Sequence, residues 1–264
     1  MKKLIYCLIF YFIALVAVFY FKPLGEANPH LVQSMYNIAS FATSLSAFLA
    51  LRAYGKGPRF RSILFLLLGF VSWFIADVSF GYFDLIENNI TYPSFADYFY
   101  LVGYVFLFIG LMFEIVISNI SWRKMSKQVY LISGIFTTCL FAAFSYYTLF
   151  SAYDPTRPAG ENLVTLGYSV GDLFLVTAGF FIIVAAWEYR GGKASKVWIS
   201  FLLGFLITMS SSLTYATHIE ALDQPESFYY AQIQIGYITG YLFFTYALLY
   251  LRSIFHSFQK RTLK

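Results

Sequence analysis

Apolar residues along this chain gather into eight long runs, at about 4–22, 32–52, 61–83, 94–118, 128–151, 166–188, 195–218 and 228–254. Each run is close to the ~20 residues an α-helix needs to cross the hydrocarbon core of a bilayer. Runs of that length without strict alternation predict helices, because barrel strands are shorter and alternate. The polar stretches on one side of the runs are Glu26 to Leu31, Asp84 to Tyr92, Asp154 to Glu161 and Glu220 to Glu226, all too short to form a domain. The predicted fold class is all-α: a polytopic membrane helix bundle of eight transmembrane helices, forming a single transmembrane domain over 1–264.

Charge gives the bundle a direction. Sixteen of the eighteen Lys and Arg residues lie in five clusters, at Lys2–Lys3, Arg52–Arg61, Arg123–Lys127, Arg190–Lys196 and Arg252–Lys264. Only Lys22 and Arg157 fall in the alternate loops, which hold most of the acids. Basic loops stay on the cytoplasmic side, so both termini are expected inside a cell membrane, with a prokaryotic inner membrane as the setting. The first run follows a basic start as a secretory signal would, but Leu4 to Phe21 is long enough to span and is read as an uncleaved helix.

Composition adds that 59% of the chain is apolar, 22% aromatic and 12% charged, far from a soluble domain. The net charge of +5 belongs to membrane edges, where anionic lipid attracts it, so no nucleic-acid partner is expected. Cys7 and Cys139 lie inside apolar runs, and His30, His218 and His256 are far apart. Neither a disulfide, a metal site nor a cofactor is indicated.

The chain also resembles itself. Shifted by about 135, Ala50 to Gly57 falls on Ala185 to Gly192, and Leu67-Leu-Gly-Phe70 on Leu202-Leu-Gly-Phe205. After a two-residue slip, Gly103-Tyr104 falls on Gly236-Tyr237. Two parallel four-helix repeats are expected, at about 1–122 and 123–264, each with an even number of crossings.

Four Ser residues are expected to open the helices that run inward. They stand in Ser34-Met-Tyr-Asn37, Ser94-Phe-Ala-Asp97, Ser169-Val-Gly-Asp172 and Ser227-Phe-Tyr-Tyr230. The spacing is that of a capping box, in which the Ser oxygen takes a free N–H and an acid faces the positive helix end. Capping is one account of Asp97 and Asp172; a shared outer cavity is the other. Asp77 fits only the second easily, since it lies near a helix C-terminus, roughly 10 Å deep at ~1.5 Å per residue. A buried ionisable group at such depth faces a bundle interior or a wet cavity, either hydrogen-bonded there as a structural acid or marking a functional path.

Tyr and Ser crowd the same halves of the helices, among them Tyr82, Tyr92, Tyr98, Tyr168, Ser210, Ser211, Tyr215, Tyr229 and Tyr230. Interfacial belts explain many of these. One of Gln232 and Gln234 is expected to face inward, and His218 either pairs with an acid or is free. Glu114, near the cytoplasmic end, is expected either to snorkel to the interface or to pair with a Lys or Arg. The candidate ligand-binding set is Asp77, Asp97, Asp172, Asn37, Tyr104, Tyr215 and Gln232, with no catalytic residue assigned.

Three stretches carry a resemblance: Trp73-Phe-Ile-Ala-Asp77, the run from Tyr92-Pro-Ser-Phe-Ala-Asp97 to Gly103-Tyr104, and Gly167-Tyr-Ser-Val-Gly-Asp172. They resemble the eight-helix membrane sensory modules that precede diguanylate cyclase (GGDEF) and other signalling domains in bacteria. The resemblance implies a sensory input role, with Asp77, Asp97 and Asp172 at matching positions and a cytoplasmic or membrane signalling partner beside the lipid bilayer. Ser212 and Tyr230 stand where a repeat of the acid pattern would fall. With only a short tail after Phe255, a stand-alone sensory or accessory module is expected. The alternatives are a small-solute or proton-coupled transporter, for which the repeats and buried acids speak, and a membrane-embedded lipid-modifying enzyme, for which two carboxylates could serve but no nucleophile–base pair is visible.

Overall fold

The computed structural model describes residues 2–21, 29–85, 92–117, 126–146, 153–188, 193–218 and 227–262. These form α1 (Lys2–Phe21), α2 (Pro29–Tyr54), α3 (Phe60–Leu85), α4 (Phe95–Ile117), α5 (Lys127–Ser145), α6 (Ala159–Glu188), α7 (Lys193–Thr217) and α8 (Phe228–Thr262), with no strand among the described residues. Seven are long and apolar enough to cross a membrane; the apolar part of α5, Lys127–Ala143, is shorter. Residues 26–28 and 86–91 of the loops expected at Glu26 to Leu31 and Asp84 to Tyr92, the whole loop expected at 220–226, and Arg123, Lys124 and Arg190 lie outside the described residues.

Helices form where the apolar runs predict them, since a chain in lipid must satisfy its own N–H and C=O groups. Two begin earlier. α2 starts at Pro29, a residue whose fixed φ and missing N–H suit a first turn. α6 starts at Ala159 and carries Gly160, Glu161 and Asn162 in its first turn, so a polar turn that hydropathy assigns to a loop is helical.

Six helices close a ring. α2 packs on α3, α3 on α4, α4 on α6, α6 on α7, α7 on α8, and α8 returns to α2. α1 lies against α8 and α5 against α6, outside the ring. Neighbour directions follow from paired residues. Ser62 Oγ donates to the Gly110 carbonyl at 3.0 Å and Trp73 Nε1 to the Tyr100 carbonyl at 3.1 Å, so α3 and α4 are antiparallel. Thr43 lies 3.0 Å from the Tyr241 carbonyl and 2.9 Å from Thr245 Oγ1, while Tyr36 meets Tyr237, so α2 and α8 are parallel. Thus α2, α4, α6 and α8 start at one end of the ring, and α3 and α7 run the other way.

Close approach depends on small residues. A Cβ at Gly103 would fall 2.3 Å from Trp73 Cδ1, and one at Gly240 would fall 2.4 Å from Thr208 Oγ1. Lipid tails are as apolar as Leu, so such packing rather than hydrophobic exclusion holds membrane helices together. Phe70, Phe201, Phe205 and Phe244 fill the middle of the ring, fully or almost fully buried. Their rings meet at centroid distances of 4.8–6.4 Å.

Candidate functional site

Above this phenylalanine plug, at the end where α2, α4, α6 and α8 begin, the ring encloses a cavity of about 140 Å³. Every helix of the ring contributes a side chain, including Tyr36 from α2, Trp73 from α3, Tyr100 from α4, Tyr168 from α6, Tyr215 from α7 and Tyr241 from α8. Asp77 and Asp97 line it too, and none of its lining residues is Lys, Arg or His.

The acids are held by phenols. Asp77, 1% exposed, accepts from Tyr100 Oη on one oxygen and from Tyr241 Oη at 2.8 Å on the other. Its backbone carbonyl takes Gln33 Nε2 at 2.8 Å. Asp97 accepts from the Ser94 N–H and, at 2.8 Å, from the Ser94 hydroxyl, and its second oxygen accepts from Tyr168 Oη. Asp172, 3% exposed, takes Tyr104 Oη at 2.7 Å on Oδ1. Its Oδ2 has no hydrogen bond, with the Ser212 hydroxyl close by and itself accepting from Tyr237 at 3.1 Å. A buried acceptor left unmade costs about 1–3 kcal/mol, so these phenols are what make the acids tolerable. At the rim Tyr92 Oη meets Thr165 Oγ1 at 2.9 Å, and burial pushes the Tyr92 phenol up to about 12.

The capping prediction divides. Ser227 precedes α8 and accepts from the Tyr229 N–H at 3.2 Å, as expected. Ser94 precedes α4 and only half of its capping box forms: Asp97 accepts the Ser94 N–H, but the Ser94 hydroxyl donates to Asp97 instead of accepting. Ser34 and Ser169 are not caps: each lies inside its helix and donates to the carbonyl four residues back. The Ser-x-x-Asp spacing marks one face of a helix as readily as its start. Asp172 is thirteen residues inside α6, roughly 20 Å from its beginning at ~1.5 Å per residue. Capping therefore cannot account for it.

Of the predicted set, Asp77, Asp97, Tyr104 and Tyr215 line the cavity and Asp172 stands behind Tyr104. Asn37 is on the α2 face beside Gln33, accepting from Gln33 Nε2 at 3.1 Å. Gln232 is exposed and borders a separate crevice with Phe12 and Tyr20 of α1, while Gln234 lines the cavity. Two residues at ~3.6 per turn face nearly opposite ways, so only one Gln could point inward. His218 neither pairs with an acid nor is free: its ring stacks on Tyr229 at 3.8 Å and its Nδ1 meets Thr217 Oγ1 at 2.8 Å. Tyr82 and Tyr98 face outward. At the far end Glu114 is 1% exposed and pairs with Arg59 at 2.9 Å.

Sequence reasoning missed Tyr36, Tyr100, Tyr237, Tyr241 and Gln33. The signal was present as stripes at spacings of three and four, Asp97-Tyr100-Tyr104 on α4 and Gln234-Tyr237-Tyr241 on α8. Such a stripe on an apolar helix marks a face distinct from the one in lipid. No group of three metal-ligating side chains occurs among the described residues. Compared with known proteins, the chain matches no family model, no curated sequence and no solved structure.

Proposed function

We propose that this multi-pass membrane protein is a sensory or accessory module that receives a small ligand in the cavity at the head of its helix ring. The observation that carries the reading is a cavity built from all six ring helices and closed below by the buried Phe70, Phe201, Phe205 and Phe244. A ligand touching every helix can favour one arrangement of the ring over another, which is all that signalling requires of it. A dead-ended cavity suits a receptor better than a carrier, and no nucleophile–base pair lines it for an enzyme.

The rest of the proposal follows the charge pattern and the self-similarity of the chain. α5 makes an eighth crossing, both termini are cytoplasmic, and the cavity opens outward. α1–α4 and α5–α8 are duplicates; the contact order α2–α3–α4 repeating as α6–α7–α8 supports this. The resemblance to bacterial sensory modules agrees with the role, and a shift of α2 or α8 would reach a signalling partner at the Arg59 and Arg252 end. Parallel repeats also occur in carriers, which keeps transport as the second reading.

One accessibility experiment separates them. In a chain with Cys7 and Cys139 replaced by Ala, Ser212→Cys is exposed to a membrane-impermeant thiol reagent on sealed vesicles of known sidedness. Labelling from the outer face alone is expected. Labelling from both faces would make the protein a carrier, and protection from both would remove the receptor reading.

A further inference from the structure

We infer that the cavity takes a small organic ammonium ion, with a trimethylammonium head as the best fit. This deepens the receptor reading and rests on it.

The polar lining has one sign. Asp77 and Asp97 reach the cavity and Asp172 lies just behind Tyr104 with one buried oxygen unpartnered, while no basic side chain is present. Most donors there are already committed. Tyr100 and Tyr241 donate to Asp77, Tyr168 to Asp97, Tyr104 to Asp172, and the Trp73 indole to the Tyr100 carbonyl. An anion would therefore find few free N–H or O–H groups. Helix N-termini attract anions, but the effect fades within the first turn. The helix start nearest the cavity, that of α4, already holds Asp97.

With the hydroxyls of Tyr100, Tyr104, Tyr168 and Tyr241 turned to the acids, these tyrosines offer the cavity rings and oxygen lone pairs. The rings follow one another in a chain, Tyr36, Tyr241, Trp73, Tyr104, Tyr168 and Tyr100. Successive centroids are 5.1–6.2 Å apart and successive planes cross at 63–81°. Rings set nearly at right angles form the walls of a box, and a Trp or Tyr face attracts a cation through its quadrupole. A metal ion would need several oxygens converging on one point. Here the carboxylates come from three different helices, Asp77 bonded to two phenols and Asp97 and Asp172 to one each. A tetraalkylated nitrogen makes no such demand, since it needs no hydrogen bond and its methyl groups suit aromatic walls.

The test is binding of radiolabelled choline to the full chain in maltoside micelles. Competitors are tetramethylammonium, the uncharged choline isostere 3,3-dimethylbutan-1-ol and phosphatidylcholine. Saturable binding is expected, displaced by tetramethylammonium and at least about tenfold more weakly by the isostere, since a desolvated cation–π contact is worth at least that factor. Trp73→Leu should weaken binding by about tenfold or more, and Trp73→Phe by less, because a ring face remains. If Trp73→Leu does not fold, the isostere comparison on the unaltered chain still decides. Displacement by phosphatidylcholine would identify a lipid headgroup as the source, and its failure a soluble ammonium compound. Equal competition by the isostere, or no saturable choline binding, would overturn the assignment. If the thiol introduced at position 212 is still labelled from the outer face, the receptor reading survives that result.

Discussion

Replacing Gly103 by Ala adds one methyl group at the close crossing of α3 and α4 and puts the cavity wall under load. That Cβ would sit 2.3 Å from Trp73 Cδ1 and 3.1 Å from the Gly69 carbonyl oxygen. A relaxed carbon contact is ~3.5 Å, so the indole must withdraw by about 1.2 Å. Phe70, Tyr104, Tyr241 and Phe244 surround it at centroid distances of 5.1–6.3 Å, so the open direction is the cavity it lines, and moving there would pull its N–H off the Tyr100 carbonyl. Separating α3 from α4 instead would forfeit the Ser62–Gly110 bond. Overpacking of this kind costs about 1–3 kcal/mol. Little of the ~1 kcal/mol helix-propensity gain from Gly to Ala offsets it, because the helix persists in the unfolded reference state in micelles. The control is Gly134→Ala on α5, where a new Cβ meets nothing within 4 Å. Unfolding by SDS in mixed micelles should show Gly103→Ala destabilised by about 1–3 kcal/mol and Gly134→Ala within ~0.5 kcal/mol of the parent. Equal stability of the two variants would refute the close-packing argument.

Further outcomes follow from other contacts. Tyr241→Phe removes a donor to Asp77 and should cost about 1–3 kcal/mol in the same assay, and Asp77→Leu added to it should recover part of that loss. Arg59→Met strands Glu114; with Arg59 a third exposed, the cost should be about 2 kcal/mol, below the fully buried case, and Glu114→Leu in the same chain should restore stability. Thr43→Val deletes the hydroxyl shared between α2 and α8 and should cost only ~0.6 kcal/mol, the average for such bonds in membranes. Asp154 lies outside the spans, and the Thr156 hydroxyl at 2.6 Å with its backbone N–H at 2.8 Å holds that carboxyl below its ordinary range. Its contribution to the loop is therefore present above the ~3.9 of an ordinary Asp and fades as pH falls through the lowered value. A carbon-13 titration should record that low midpoint, and Thr156→Val should raise it.

Helices were legible because lipid enforces them, and their ends were less so. Hydropathy measures the cost of a side chain in hydrocarbon, so it starts α6 at about 166; the helix itself continues through Glu161 and Asn162, whose side chains solvent can reach. The acids were legible as acids in the wrong places, Asp77 above all. What they bond to was not. Tyr100 and Tyr241 stand out only once the three-and-four spacing that links them to Asp97 and Gln234 is considered, and nothing local says that α8 lies beside α2. Gln232 was favoured over Gln234 although the same spacing to Tyr237 and Tyr241 picks out the latter.

The two ends of the ring treat a buried acid in opposite ways, and the difference bears on function. Glu114 is neutralised by Arg59 within the chain, which leaves nothing for a visitor to do. Asp77 is satisfied by two phenols, and Asp97 by one phenol with the Ser94 hydroxyl and N–H, all of which supply hydrogen bonds and no positive charge. Burying a carboxylate with a guanidinium partner produces a closed pair whose worth is structural. Burying it among hydroxyls leaves a region that can accept a cation without first displacing one. The tyrosines that make the acids tolerable in the membrane are also the walls that face such a cation. Loss of one phenol should therefore disturb stability and binding together, whereas loss of Arg59 should disturb stability alone.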